Sequence, residues 1–165
     1  MTIKEFGLGE DMPDAPRGRV LLIELVPSTS WGANLRSELK RVDWDKLRKQ
    51  TYRGAGHKCI ICGGVGPRWP VECHEIWEYD DEQSIQTLVG LEALCPACHE
   101  VKHFGRAFNE GNGGRAAHHL KNVNGWDRDR TNQHIRDAFV LWQDRSSKKW
   151  TLNLDWLKDQ GVSVP

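Results

Sequence analysis

Two Cys-x-x-Cys pairs, Cys59-Ile60-Ile61-Cys62 and Cys95-Pro96-Ala97-Cys98, limit what this chain can fold into more than any other feature. Paired thiols on both sides of a long loop are the usual way to build a tetrahedral thiolate site. The spacing therefore predicts a structural zinc held by Cys59, Cys62, Cys95 and Cys98. Gly63 and Gly64 follow the first pair and let the backbone turn so that its amides face the sulfurs. Metal rather than disulfide points to a reducing compartment. A redox motif of thioredoxin type fits worse, since that chemistry uses one Cys-x-x-Cys opening a long helix after a strand. The fifth cysteine, Cys73, is left over and is expected to be a buried free thiol.

The second pair runs directly into His99 and His103. Pro96 suits a helix start and Gly105 a helix end, which predicts one helix between them. Histidines four apart on a helix share a face and can meet one ion. His74, on a short strand expected from Val71 to Ile76, is the natural third ligand. The ligand types divide sensibly. Four thiolates close a structural site, whereas a His-rich site keeps open positions for substrate or water. The plainer alternative is a set of surface histidines on a zinc-stapled fold. His118, His119 and His134 lack partners at useful spacing and read as surface or packing residues; His57 reads as a donor to a knuckle sulfur.

The 165 residues suit a single domain, 1–165, with a real core. Residues 1–19, rich in Gly, Pro and charge, read as a loose arm. Val20 to Val26 reads as a buried strand stopped by Pro27, with a loop over 28–34 and a short helix from Leu35 to Leu39. Asp43 is expected to cap a helix to about Tyr52 that turns Trp44, Leu47 and Thr51 to one face. Beyond a polar loop at 78–84, Leu88 to Leu94 reads as a second strand, and Asn109 to Gly114 as a flexible connector. Ile135, Ala138, Phe139 and Trp142 form the core-facing stripe of a helix from Thr131 to Arg145. A strand over Trp150–Leu154 and a short helix capped by Asp155 complete the chain. No apolar run is long enough to span a bilayer and no signal pattern opens the chain, so a cytoplasmic location is expected.

A formal net charge of zero gives no global case for nucleic acid, but the charge is unevenly spread. Arg36 to Lys58 holds eight Lys/Arg against three acids, and Val71 to Glu100 holds eight acids and no Lys or Arg. An acidic patch beside His and Cys suits a cation, and basic flanks suit phosphates. A solvated helix face beside an acidic loop explains the charges equally well.

The order Cys-x-x-Cys, then Glu72-Cys73-His74-Glu75-Ile76, then Leu94-Cys95-x-x-Cys98-His99-x-x-x-His103 resembles the HNH endonucleases of the ββα-metal type. It is most similar to those stapled by a four-cysteine zinc, and the resemblance covers residues 57–105. It implies an α+β fold with a ββα-metal, treble-clef-like core and a structural zinc, flanked by helical and short-strand extensions. It also implies a divalent ion (Mg, Mn, Ni or Zn) between hairpin and helix, acting as a Lewis acid on DNA while a strand histidine activates water. Carried onto this chain, His99 and His103 are the helix ligands. With Ile76 aligned to the aliphatic residue that follows the family's paired groups, His74 is the strand ligand and Glu75 the base. In the other register His74 is the base and Glu72 or Glu75 helps hold the ion.

The family's middle Asn falls at Gly90, which can neither brace a base nor bind metal; Glu92 and Asp80-Asp81 are the nearby substitutes. Lys102, Arg106 and the basic residues Lys46, Lys49 and Arg53 would supply phosphate contacts, while Trp77 and Tyr79 read as hairpin packing. The leading expectation is thus a divalent-metal-dependent endonuclease with DNA as partner and no membrane. A rival is a noncatalytic zinc module that binds nucleic acid or protein and has lost the base and the Asn. A third, metal-dependent hydrolysis of a non-nucleic substrate, rests on the histidine cluster alone.

Overall fold

A β-hairpin carries His74 and its neighbours Glu72 and Glu92. In the computed structural model, which describes residues 19–30 and 34–164, β1 (Glu72–Asp80) pairs antiparallel with β2 (Ile85–Leu94), from Glu72↔Leu94 to Asp80↔Ile85. The residues expected to form a loose arm lie outside the described region, apart from Arg19. Asp80 closes the turn by accepting the backbone N–H groups of Glu82 and Gln83 through its side chain. A short β3 (Thr151–Asn153) runs parallel to β2, so among the described residues the sheet order is β1-β2-β3 with β1 at one edge.

One irregularity decides what each face of the hairpin carries. Ile76 pairs with Gly90 but Trp77 pairs with Leu88, which leaves Val89 as an extra residue in β2. Before this bulge, Glu72 and His74 share a face with Glu92, while Cys73 and Glu75 point to the other. The bulge swings Leu88 onto the second face. There it is buried with Leu35, Leu39, Leu47, Leu157 and Val162, and Trp77 and Leu91 pack against the group.

Helices cover both faces. The described residues form α1 (Leu35–Glu38), α2 (Arg41–Gly54), α3 (Pro96–Lys102), α4 (Phe104–Asn109), α5 (Gly113–Asn124), α6 (Arg128–Ser146) and α7 (Trp156–Asp159), giving an α+β fold. Asp43, expected as a cap, lies inside the first turn of α2, where its charge faces the positive helix end; Lys40 holds the cap position without a side-chain bond. The helix expected to run from Pro96 to Gly105 is instead broken at His103 (φ −95°, ψ 43°) between α3 and α4. The connector expected over Asn109–Gly114 is shorter, because α5 already begins at Gly113; Gly125, at φ 60°, ends α5. A second apolar cluster, with Leu94, Val101, Phe104, Ala116 and Leu120, joins the end of the hairpin to α3, α4 and α5. No helix among the described residues is long and apolar enough to cross a membrane.

The segment Val20–Val26 corrects the sequence reading. It is not a strand. Leu21 and Ile23 are buried as a strand would bury them, but the backbone bonds go to helices. Asn124 of α5 accepts the Leu21 N–H at 2.8 Å and donates to the Leu21 carbonyl at 2.7 Å. His134 of α6 accepts the Ile23 N–H, and the Lys102 carbonyl accepts the Glu24 N–H. Buried backbone groups need partners, and here helical side chains supply them. Asn124→Ala removes both bonds at Leu21 and is expected to cost about 1–3 kcal/mol in urea unfolding. Amide exchange should quicken at Leu21 and Glu24 while β2 amides keep their protection; equal protection throughout would contradict the clamp.

Candidate metal centres

The four paired cysteines come together. Cys59 and Cys62 turn below the end of β2, tied there by the Ile60 N–H bond to the Ala93 carbonyl, while Cys95 and Cys98 open α3. All four are buried, and their sulfurs lie within 4.8 Å of one another. The Cys62 and Cys95 sulfurs stand 3.6 Å apart. Sulfur ligands of a tetrahedral ion at a metal–sulfur length of about 2.3 Å stand about 3.8 Å apart, so the cluster fits a structural metal. Backbone amides complete the knuckles: Gly64 N–H reaches the Cys62 sulfur at 3.4 Å and Cys98 N–H the Cys95 sulfur at 3.5 Å. The sulfurs share protons unevenly. The hydrogen bond from Cys62 pulls Cys59 down to about 6, and contact with the other three sulfurs pushes Cys98 up. Thiols so crowded lose protons readily to a cation. His119, expected as a surface or packing residue, stands with Nε2 3.2 Å from the Cys98 sulfur.

His74, His99 and His103 also converge. The ring centroids are 4.7 Å apart for His99–His103, 5.0 Å for His74–His103 and 5.3 Å for His74–His99. The Nε2 atoms of His99 and His103 stand 3.1 Å apart, close to the separation of about 3.3 Å expected for two imidazole ligands of one tetrahedral ion. Glu72 lies 2.5 Å from Nδ1 of His99. A carboxylate there accepts from Nδ1–H and so leaves the Nε2 lone pair free for a ligand. Its hydrogen bond with His99 holds the Glu72 carboxyl below its ordinary value. Burial keeps the other two rings neutral: it pushes His74 below the ordinary histidine value and, with His99 and His74 nearby, takes His103 down to about 3. Neutral imidazole is the form that binds metal.

A second polar cluster adjoins the trio. Glu24, from the extended segment, places Oε2 3.1 Å from Nε2 of His74 and Oε1 2.5 Å from the Lys102 ammonium. Lys102 also faces Glu92 at 3.4 Å, and Arg19 reaches Glu92 at 3.6 Å. Glu24, His74 and Glu92 have the spacing of a cation site, but the Lys102 ammonium already supplies its positive charge. Burial raises the Glu24 carboxyl; the bond with His74 and the Lys102 charge outweigh it, and the group ends below its ordinary value.

Other expected residues fall elsewhere. Lys102 is buried between two carboxylates rather than presented to phosphate, whereas Arg106 is exposed. Lys46, Lys49 and Arg53 are exposed on α2 but do not line the cleft at the histidines; Arg36, Arg41 and Arg48 do. Glu75 is not one of the trio. Its side chain accepts the Leu35 N–H at 2.7 Å, which caps α1, and burial raises its carboxyl. Gly90 is not glycine for lack of room: a Cβ there would sit 3.6 Å from Ile76 Cδ1, an ordinary contact. Asp80 is spent on the turn and Asp81 on Arg145, so neither stands in for an Asn at Gly90. Cys73, expected to be buried, is a half-buried free thiol, and desolvation pushes it up to about 12. His57 is exposed at φ 57° and makes no sulfur bond among the described residues. Tyr79 packs edge-on against Trp150 under the Arg145 guanidinium. No protein family, curated protein or solved structure matches the chain, so its reading rests on this geometry.

The low value of His103 makes stability fall with acid. Above pH 6.5 the ring is neutral folded or unfolded; as pH drops from 6.5 towards about 3, only the unfolded chain takes up the proton. The slope from this group is about 1.4 kcal/mol per pH unit. Urea unfolding between pH 7.5 and 4.5 should show His103→Gln losing less stability per pH unit than the wild type; parallel curves would contradict the assignment.

Proposed function

We propose that the chain is a divalent-metal-dependent nuclease of the HNH type, with a ββα-metal core stapled by zinc at Cys59, Cys62, Cys95 and Cys98. The observation that carries this reading is the convergence of His74 from β1 with His99 from α3 and His103 from the break between α3 and α4, beside a four-sulfur cluster. The order strand, strand, helix is the order in which that family presents its site, and the trio opens into a cleft of about 1490 Å³. His74, His99 and His103 would hold the ion. When bound, such an ion supplies Lewis-acid activation of a phosphodiester and of water. The chain's own part is to keep His74 and His103 neutral, to fix the tautomer of His99 through Glu72 and to bind substrate phosphates. Exposed Arg36, Arg41 and Arg106 line the cleft for that last role. Seven carboxylates against five arginines in the cleft wall leave it short of positive charge, which a divalent ion would supply before a polyanion binds.

The competing reading, a noncatalytic metal-stapled binding module, is favoured by two residues. Glu75 is engaged in capping α1, and Gly90 offers no side chain to the His74 face. Cleavage of supercoiled plasmid separates the two. With Mg, Mn, Ni or Zn the wild type should nick the plasmid, and His74→Ala and His103→Ala should each lose roughly 100-fold or more. Equal cleavage by both variants, or none with any metal from folded protein, would count against the nuclease and favour the binding module.

A further inference from the structure

We propose that Glu24 is the positioning residue for His74, delivered by the N-terminal extended segment from outside the hairpin and helix. This rests on the nuclease reading for its catalytic consequence; the positioning itself stands on geometry. Among the described residues no side chain at Gly90 can steady His74, yet its Nε2 is held by the Glu24 carboxylate at 3.1 Å. An ionised carboxylate only accepts, so His74 donates from Nε2 and is left with its lone pair on Nδ1. The arrangement parallels Glu72 at His99, where the carboxylate holds Nδ1 and frees Nε2. Two of the three rings thus have their tautomer set by a carboxylate, one from β1 and one from the segment before α1.

Glu24 is itself held in place. Its second oxygen binds the Lys102 ammonium and its N–H binds the Lys102 carbonyl, so one residue of α3 grips it by side chain and backbone. Upstream, Asn124 clamps both backbone groups of Leu21, and His134 takes the Ile23 N–H. A loose surface glutamate would not be anchored at three successive points. Within the apolar run Val20–Val26, Glu24 is the one charged residue, and its side chain is turned to the histidines.

The experiment uses full-length protein with ¹⁵N-labelled histidine. Long-range ¹H–¹⁵N spectra at pH 7.5 report the tautomer of each ring, and plasmid-nicking kinetics run in parallel. The wild type should show His74 as a single Nε2–H tautomer. Glu24→Gln keeps an acceptor oxygen and should keep that tautomer. Glu24→Ala should give a mixture and lower kcat roughly 10- to 100-fold with KM little changed. Glu92→Gln disturbs the Lys102 pair without touching the His74 bond and should leave the His74 tautomer alone. If Glu24→Ala does not fold, Glu24→Met gives a chain of similar length without an acceptor. An Nδ1–H tautomer in the wild type, or an unchanged single tautomer in the folded Ala or Met variant, would overturn the proposal. A wild type that never cleaves DNA but shows the tautomer change would remove the nuclease reading and leave the positioning role standing.

Discussion

Cys95 is the joint on which the rest depends. It follows the last residue of β2, caps the first turn of α3 by accepting the Cys98 N–H at its sulfur, and belongs to the four-sulfur cluster. Because one residue ends the strand, starts the helix and takes part in the cluster, the direction of α3 relative to the hairpin is fixed at its origin. His99 and His103 then reach His74 without further adjustment. The first knuckle closes the other side through Ile60 and Ala93. Thiolates packed this closely repel one another unless a cation or shared protons compensate, so the geometry of the histidines is coupled to the state of the sulfurs.

The features legible in the sequence are those encoded by short spacing. Cys-x-x-Cys, the i,i+4 histidines and the strand before the second pair all appear close to where they were expected, because their chemistry demands fixed local separations. The misread features depend on distant partners. Val20–Val26 has the pattern of a strand, but its backbone partners lie far along the chain, on α3, α5 and α6. His119 gave no spacing signal, since its partner Cys98 is on another helix. Two other residues carry local signals of their partners. Lys102 stands four residues after Cys98 and one after Val101, on the buried face of α3. Glu24 is a carboxylate inside an apolar run, and burying a charge without a partner is costly.

The two departures from the expected motif acquire physical roles. Glu75 lies on the face opposite His74 because strand side chains alternate, and there it caps α1 rather than serving the histidines. Gly90 adjoins the Val89 bulge, which redirects Leu88 into the second core cluster. Residues absorbed by structure leave the histidine site to be steadied from elsewhere, by Glu72 on the same strand and by Glu24 on the extended segment. The fold thus separates two clusters that are adjacent in the sequence: four sulfurs at the origin of α3, and three imidazoles gathered farther along, from β1, α3 and the α3–α4 break.

If the sulfur cluster and the histidine trio each hold an ion, the chain carries two metal sites and not one. Counting metal ions per chain by mass spectrometry after cobalt loading, with the cobalt absorption spectrum recorded alongside, tests it most directly. The wild type should hold two ions, only one of them with thiolate-to-metal charge-transfer bands, and a folded His99→Ala variant should hold a single ion that retains those bands. One ion per chain in both proteins, with identical spectra, would contradict it.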